Sequence, residues 1–330
     1  MQEYISSQKY TLLDSSCGAG NFLLANGFDK IIGADIDKGA LDIARSRIDS
    51  RITLLHKNAL YNVSRGTFDI SESEKLIIIG NPPYNDRTSI VQRTVKNKEA
   101  ISMDLTLQAR DIGISFLRSY EKLQADYVCV LHPLSYLIKK TNFQALKDFA
   151  KHYRLLNSLI ISSKEFCKNS KKHFPIVMAL YKREDGGMDY NYICKFNFQT
   201  LEGKSFRLND FEYIGRYINK YPNKLKNYQA MFYTMRDINA LARSKTFLDK
   251  ANSNTVYVPR DKYSLYCYVD VFKAFLPHIP YYFGNCDVMI DFAKFKGLEN
   301  SFVQASEEKI YKPEILQYFK DLLGIHYLSK

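Results

Sequence analysis

The chain has 330 residues, 46% of them hydrophobic, and a formal net charge of +12; it can bury a sizeable core and is long enough for two domains or one elaborated one. Its longest apolar runs, such as 76–79 and 128–131, are strand-length and fall far short of the roughly 20 residues of a membrane-spanning helix. With no apolar leader and six cysteines that form no Cys-x-x-Cys pair, the expectation is a cytoplasmic protein with reduced thiols, no membrane segment and no metal site, whose positive charge suits phosphate-bearing partners.

Residues 10–14 read as a short buried strand, followed by a glycine-containing turn and a helix-like stretch over 21–28. A second strand (30–37), an amphipathic helix (38–48), a third strand (51–60) and a fourth (75–84) come next. Strand and helix alternating at this short period imply βαβ units. The fold class expected is α/β: a Rossmann-like, mostly parallel sheet with helices on both faces, whose strand ends meet at one ligand-binding edge. Residues 85–101 turn polar and charged, as a loop or mobile helix over that edge would. Beyond them 105–123 reads as helix, 126–133 as a fifth strand, 142–153 as helix, and 155–162 and 174–183 as strands that complete the sheet. The texture changes around 184–189, which places a catalytic domain at 1–185 and a smaller α+β domain at 186–330. In the latter, 190–208 looks like a hairpin turning at Glu202-Gly203, 236–248 like a helix and 263–272 like a strand.

Asp14 stands at the end of the first strand, before Gly18 and Gly20. Glycines there permit positive φ and close approach of a ligand. A dinucleotide fingerprint would want a third glycine where Leu23 stands, and an acid before the glycines suits a cationic, amino-acid-bearing cofactor better than a pyrophosphate. Asp35, seventeen residues after Gly18, ends the second strand, where a carboxylate can accept both hydroxyls of a ribose. In this order the features specify S-adenosylmethionine. Asn58, at the exit of the third strand, stands where an adenine amine would need an acceptor; making a turn is its alternative role.

The fourth strand ends in Asn81-Pro82-Pro83-Tyr84. The lone pair of an exocyclic adenine nitrogen is delocalised into the ring, and two acceptors aimed at its N–H bonds would draw it toward tetrahedral geometry. The Asn81 side-chain oxygen and the Pro82 carbonyl are such acceptors, proline bringing no competing N–H. Tyr84 supplies a ring on which an unstacked base can lie. The leaving group is a neutral thioether, so positioning and hydrogen-bond electrostatics can carry most of the rate without a strong base.

Taken in order, "DSSCGAGNFL", "GADID", "NAL" and "GNPPY" resemble the adenine-N6 DNA methyltransferases of bacterial restriction–modification systems over roughly the first 185 residues. The resemblance implies S-adenosylmethionine as cofactor, double-stranded DNA as partner, and a C-terminal target-recognition domain; it also raises a cognate restriction endonuclease. It puts Asp14, Cys17, Gly18, Gly20, Asp35, Ile36, Asn58, Ala59 and Asn81 at cofactor-contacting positions, and Asn81, Pro82 and Tyr84 at catalytic ones. Asp104-Leu105 and His132-Pro133-Leu134 fall on later motifs of the family. Phe166 falls where a second aromatic meets the flipped base, with Phe174 as the alternative; either can instead be core. The chain departs from the family pattern with Asn58 for the usual aspartate, with Ser15 and Ser16 for the commoner Pro-Ala, and with only thirteen residues before Asp14, so the segment that usually walls the methionine end of the pocket is expected to be absent, shortened or supplied from elsewhere.

In 186–330 tyrosines alternate with Lys, Arg and Asn, as in "RYINKYPNKLKNY". Such residues can contact phosphates and bases, or the tyrosines can be half-buried strand residues. The histidines show no ligand spacing. Two other readings stay open: an RNA adenine-N6 methyltransferase, and a non-catalytic nucleic-acid-binding protein with a vestigial pocket. Release-factor glutamine methyltransferases share the Asn-Pro-Pro-Tyr chemistry, but usually carry their extra domain before the cofactor motif.

Overall fold

Two apolar runs form the centre of the fold. In a computed structural model, which describes residues 10–25, 27–84, 102–166 and 173–329, every residue of strands β1 (Thr11–Asp14) and β4 (Leu76–Gly80) is buried. Continuous burial is what a parallel strand covered on both sides requires. Residues 85–101, read above as a loop or mobile helix, lie outside the described residues, as does Cys167.

The described residues form two units, one comprising the chain up to Ile161 with Ile176–Ile193, the other Ser162–Pro175 with the chain from Cys194 onward. Beside the boundary expected between 185 and 186, the later crossing thus lies between 193 and 194, and 162–175 belongs to the second unit.

The first unit contains β1, β2 (Lys30–Asp35), β3 (Thr53–His56), β4, β5 (Tyr127–Pro133), β6 (Tyr153–Ser162) and β7 (Pro175–Arg183). They lie side by side in the order β3-β2-β1-β4-β5-β7-β6. The pairs from β3 to β5 are parallel, with Leu13 beside Ile32 and Ile78. Strand β7 runs antiparallel to β5. This is the mixed, mostly parallel sheet of a Rossmann-like α/β fold. Between β1 and β4 the order reverses, and in open α/β sheets the crevice at the carboxyl ends of such strands takes the ligand.

Helix α1 (Lys38–Arg45) starts where the Asp37 side chain accepts from the Ala40 N–H. The single helix expected over 105–123 is two elements: a short turn at Leu105–Leu107 and helix α2 (Ile112–Lys122). Asp111 causes the break, its carboxylate capping the Gly113 N–H at 3.0 Å. The helix expected over 142–153 is likewise split into Lys140–Ala145 and Lys147–His152. Among the described residues no helix is long and apolar enough to cross a membrane, and Cys17, Cys129, Cys194, Cys267 and Cys286 are in no disulfide.

Strands β8 (Phe198–Thr200) and β9 (Ser205–Phe206) of the second unit form the hairpin around Gly203, while the start of the expected hairpin, Tyr190–Lys195, is helical and spans the crossing between the units. Strands β10 (Glu212–Tyr213) and β13 (Met289–Ile290) make one antiparallel pair, and β11 (Ala230–Tyr233) and β12 (Thr255–Val258) another. The helix expected over 236–248 is confined to Ile238–Leu241. The strand expected over 263–272 is helix α3, Tyr263–Ala274. Its residues 265 to 272 are all buried. A helix enclosed on every side loses the polar stripe that would give its period away, and tertiary burial overrides local propensity. Tyr268 lies at the centre of the aromatic core, its ring beside those of Phe295, Phe302 and Tyr318 and its hydroxyl on the Met289 carbonyl at 2.6 Å.

Helix α3 also carries a buried carboxylate, Asp270, which accepts from Thr246, Lys309 and Ser306. Replacing it by alanine strands two buried hydroxyls. Asp270→Ala is expected to destabilise this unit by about 3 kcal/mol, read as an earlier denaturant midpoint; an unchanged midpoint would remove the network from the unit's stability.

Candidate active site

The carboxyl ends of β1, β2 and β4 bring together Asp14, Asp35 and Asn81. Asp14, 1% exposed, accepts the Ser16 N–H at 3.1 Å through Oδ1, while its buried Oδ2 has no partner. Burial pushes the carboxyl up to about 7, against the lowering effect of the Ser16 amide and with a further push from Asp35. A buried carboxylate with a vacant oxygen is costly unless it meets a donor or a cation.

The glycine turn follows directly. Cys17 N–H bonds the Ala34 carbonyl at 3.0 Å, pinning the turn to β2, and Gly20 N–H bonds the Cys17 carbonyl at 2.9 Å. Gly18 has φ +51° and open space where a Cβ would lie, so its backbone can be approached closely. Gly20, at φ +81°, instead abuts Ile48 and Ala44. The Cys17 thiol is buried with Leu23 and Leu41, and burial raises it to about 12, so the side chain is packing and only its backbone borders the turn.

Asp35 already serves the fold: Oδ2 accepts from Gly18 N–H at 2.8 Å and Oδ1 from Asp37 N–H at 2.9 Å. Each oxygen keeps a further acceptor site for a hydroxyl. Ile36 beside it is half exposed. After β3, Asn58 makes a turn through Oδ1 to Leu60 N–H (2.9 Å) and donates through Nδ2 to the Ser102 carbonyl (2.7 Å). Ala59 is buried and its carbonyl accepts from Ser119. Asp104 accepts from Asn62 N–H, Val63 N–H and Lys122, the Lys122 bond first among the contacts that hold its carboxyl below the usual range. Asp104 therefore ties the loop after β3 to α2, while Leu105 next to it is 84% exposed.

At the end of β4, Asn81 Oδ1 is buried and has no hydrogen-bond partner. Pro82 is buried, Pro83 exposed and Tyr84 half-buried, burial raising the Tyr84 hydroxyl. Three neighbours missed in the sequence place this segment. Gly80 has φ +147°, and a Cβ on it would stand 2.7 Å from Asp14 Oδ1, so the residue before Asn81 comes close to the acid of the glycine turn because it has no side chain. Gly113 is the second: a Cβ there would lie 3.1 Å from the Tyr84 Cβ and 2.5 Å from the Tyr136 hydroxyl. Tyr136, the third, donates to Asp111 and stacks on the buried His132 ring at 5.3 Å. His132 pairs through Nε2 with the Tyr181 hydroxyl at 2.7 Å, and burial lowers it to about 4, so it is a neutral core residue.

Phe166 and Phe174 belong to the second unit, where both rings are substantially exposed, Phe166 at 48%.

No family model matches the chain, and no curated protein matches its sequence. Solved structures do. A provisionally assigned class I S-adenosylmethionine-dependent methyltransferase from Listeria monocytogenes matches with 16% identity and a TM-score of 0.39, over 57% of this chain and 58% of that one. A provisionally assigned modification subunit of a type I restriction enzyme from Vibrio vulnificus matches with 13% identity and a TM-score of 0.38, over 54% and 40%. A provisionally assigned RNA methyltransferase from Pyrococcus horikoshii matches with 14% identity and a TM-score of 0.34, over 52% and 74%. The chain thus spans little more than half of the first of these and less than half of the second. Likenesses this loose leave function to the residues of the site itself.

Proposed function

We propose that this protein is a site-specific methyltransferase that uses S-adenosylmethionine to methylate N6 of an adenine flipped out of double-stranded DNA, the modification activity of a restriction–modification pair. The observation that carries the proposal is that Asn81 Oδ1 and Asp14 Oδ2 are both buried without a partner, while Gly80, the residue before Asn81, lies against the Asp14 carboxylate. Two vacant acceptors at a topological switch point suit two ligands, one bearing an ammonium and the other an amine.

The residues present fit the cofactor. Asp14 would meet its ammonium, Gly18 lets the ligand near the backbone, and Asp35 and Ile36 would flank its ribose and adenine, with Gly20, Asn58 and Ala59 shaping the walls. When bound, S-adenosylmethionine supplies an electrophilic methyl group. Asn81 Oδ1 and the Pro82 carbonyl then accept the two N–H bonds of the target amine, so that its lone pair faces the methyl donor. Tyr84 stacks on the extruded base, held by Gly113 and Tyr136. The surplus proton leaves to water, and no residue of the site need act as a strong base.

The test is transfer of tritium from labelled S-adenosylmethionine to unmethylated bacterial DNA and to total RNA, followed by nucleoside analysis. Label in N6-methyladenine of DNA supports the proposal. Label in RNA alone moves the substrate, and label in neither rejects the enzymatic reading.

Asp14 also sets a pH dependence. Its raised pKa keeps it protonated and uncharged below about 7, whereas pairing with a cationic amine needs the carboxylate. Cofactor affinity is therefore expected to rise on the order of tenfold from pH 5.5 to 7. Calorimetry reads this, with Asp14→Asn expected to bind weakly and with a flat profile; a flat profile in the unaltered protein would remove Asp14 from the ammonium site.

A further inference from the structure

Between Ile218 and β11 the second unit has neither helix nor strand, yet the segment is firmly tied. The Asn219 carbonyl accepts from the Tyr266 hydroxyl at 2.5 Å, and the Lys220 carbonyl accepts from Thr234 Oγ1 and Met235 N–H at 2.8 and 3.1 Å. Lys220 Nζ is paired with Asp287 at 2.6 Å. Asn223 then treats the edge of β12 as a neighbouring strand would: its Nδ2 donates to the Tyr257 carbonyl (3.1 Å) and its Oδ1 accepts the Tyr257 N–H (2.7 Å). Six residues later Gln229 N–H bonds the Val258 carbonyl at 2.8 Å. The five residues between, Lys224, Leu225, Lys226, Asn227 and Tyr228, form an arch whose feet stand on consecutive residues of one strand, and all five are exposed. Tyr228 braces one foot, its ring 4.8 Å from that of Tyr257.

Nothing in the fold needs such an arch. It holds two cations, an amide and an apolar tip with no acid among them, and its anchored ends reduce the ordering cost of binding. An amide can pair with both polar atoms of an adenine edge, lysines meet phosphates or guanine, and an apolar side chain suits the thymine methyl. We propose that the arch Lys224–Tyr228 enters the major groove of duplex DNA and selects the methylation site, with Asn227 reading a base edge and Lys224 and Lys226 holding the backbone. The inference rests on the proposal that duplex DNA is the substrate.

The experiment selects bound duplexes from a randomised pool with the unaltered full chain, with Asn227→Ala and with Lys224→Ala/Lys226→Ala, and assays methyl transfer in parallel. The unaltered chain should enrich one motif. Asn227→Ala should lose about 5- to 150-fold of discrimination at one base pair of it. The lysine pair should weaken all duplexes alike and lower the salt slope by about two. These exposed positions leave the fold intact, checked by an unchanged melting temperature. Unaltered selection by both variants overturns the inference, as does a chain that selects RNA and no duplex. A chain that enriches a duplex motif without transferring methyl groups rejects the enzymatic reading while leaving the arch as the reader.

Discussion

Asn81→Ala is expected to lower kcat at least about 10²–10³-fold, the usual cost of removing one preorganised hydrogen-bonding group from a reaction centre. Affinity for duplex DNA should stay close to that of the unaltered protein, and affinity for S-adenosylmethionine should fall far less than kcat. The split follows from position. Asn81 Oδ1 is buried without a partner, so its loss leaves no donor stranded and little packing is disturbed, whereas the target amine loses one of the two acceptors that direct its lone pair. Single-turnover transfer of label with both ligands saturating measures it. A variant that keeps kcat would mean that Asn81 is part of a strand-terminating turn and no more.

Gly80→Ala is expected to abolish measurable cofactor binding. The backbone there sits at φ +147°, where a side chain is strained, and the added Cβ would collide with Asp14 Oδ1 at 2.7 Å. Strain of this kind costs about 1–3 kcal/mol, and the relief available is to swing the Asp14 carboxylate away from its vacant corner or to turn Asn81. A fall in melting temperature of several degrees should accompany loss of affinity exceeding tenfold. Gly18→Ala provides the contrast: its φ of +51° also disfavours a side chain, but nothing lies within 4 Å of the new Cβ, so it should strain the turn without displacing Asp14. Retained affinity in Gly80→Ala would show that the position of the Asp14 carboxylate does not depend on the missing side chain at residue 80.

Much of the first unit was legible from residue order. The runs ending at Asp14 and Gly80 are buried throughout, as a parallel strand covered on both sides is, and Asp37 marks the start of α1 by its cap. In the second unit legibility failed where burial is complete. Tyr263–Ala274 has the aromatic and β-branched residues of a strand, yet forms a helix whose residues 265 to 272 are all enclosed.

The sequence by itself determined the chemistry on offer: an acid before a glycine turn, a second acid after the next strand, and an amide followed by two prolines and a tyrosine, each at the end of an apolar run. Those are local properties, set by burial and by the turn-forming character of Gly, Asp, Asn and Pro. Only the tertiary structure decided that β7 lies between β5 and β6 and runs antiparallel to β5, and that Gly80 lies against the Asp14 carboxylate. It also decided that Gly113 makes room for Tyr84, and that Asn223 and Gln229 bind neighbouring residues of β12. Each joins residues far apart in the chain through strand pairing, one or two hydrogen bonds or the space of one missing side chain, and no local pattern encodes which distant partner will meet it.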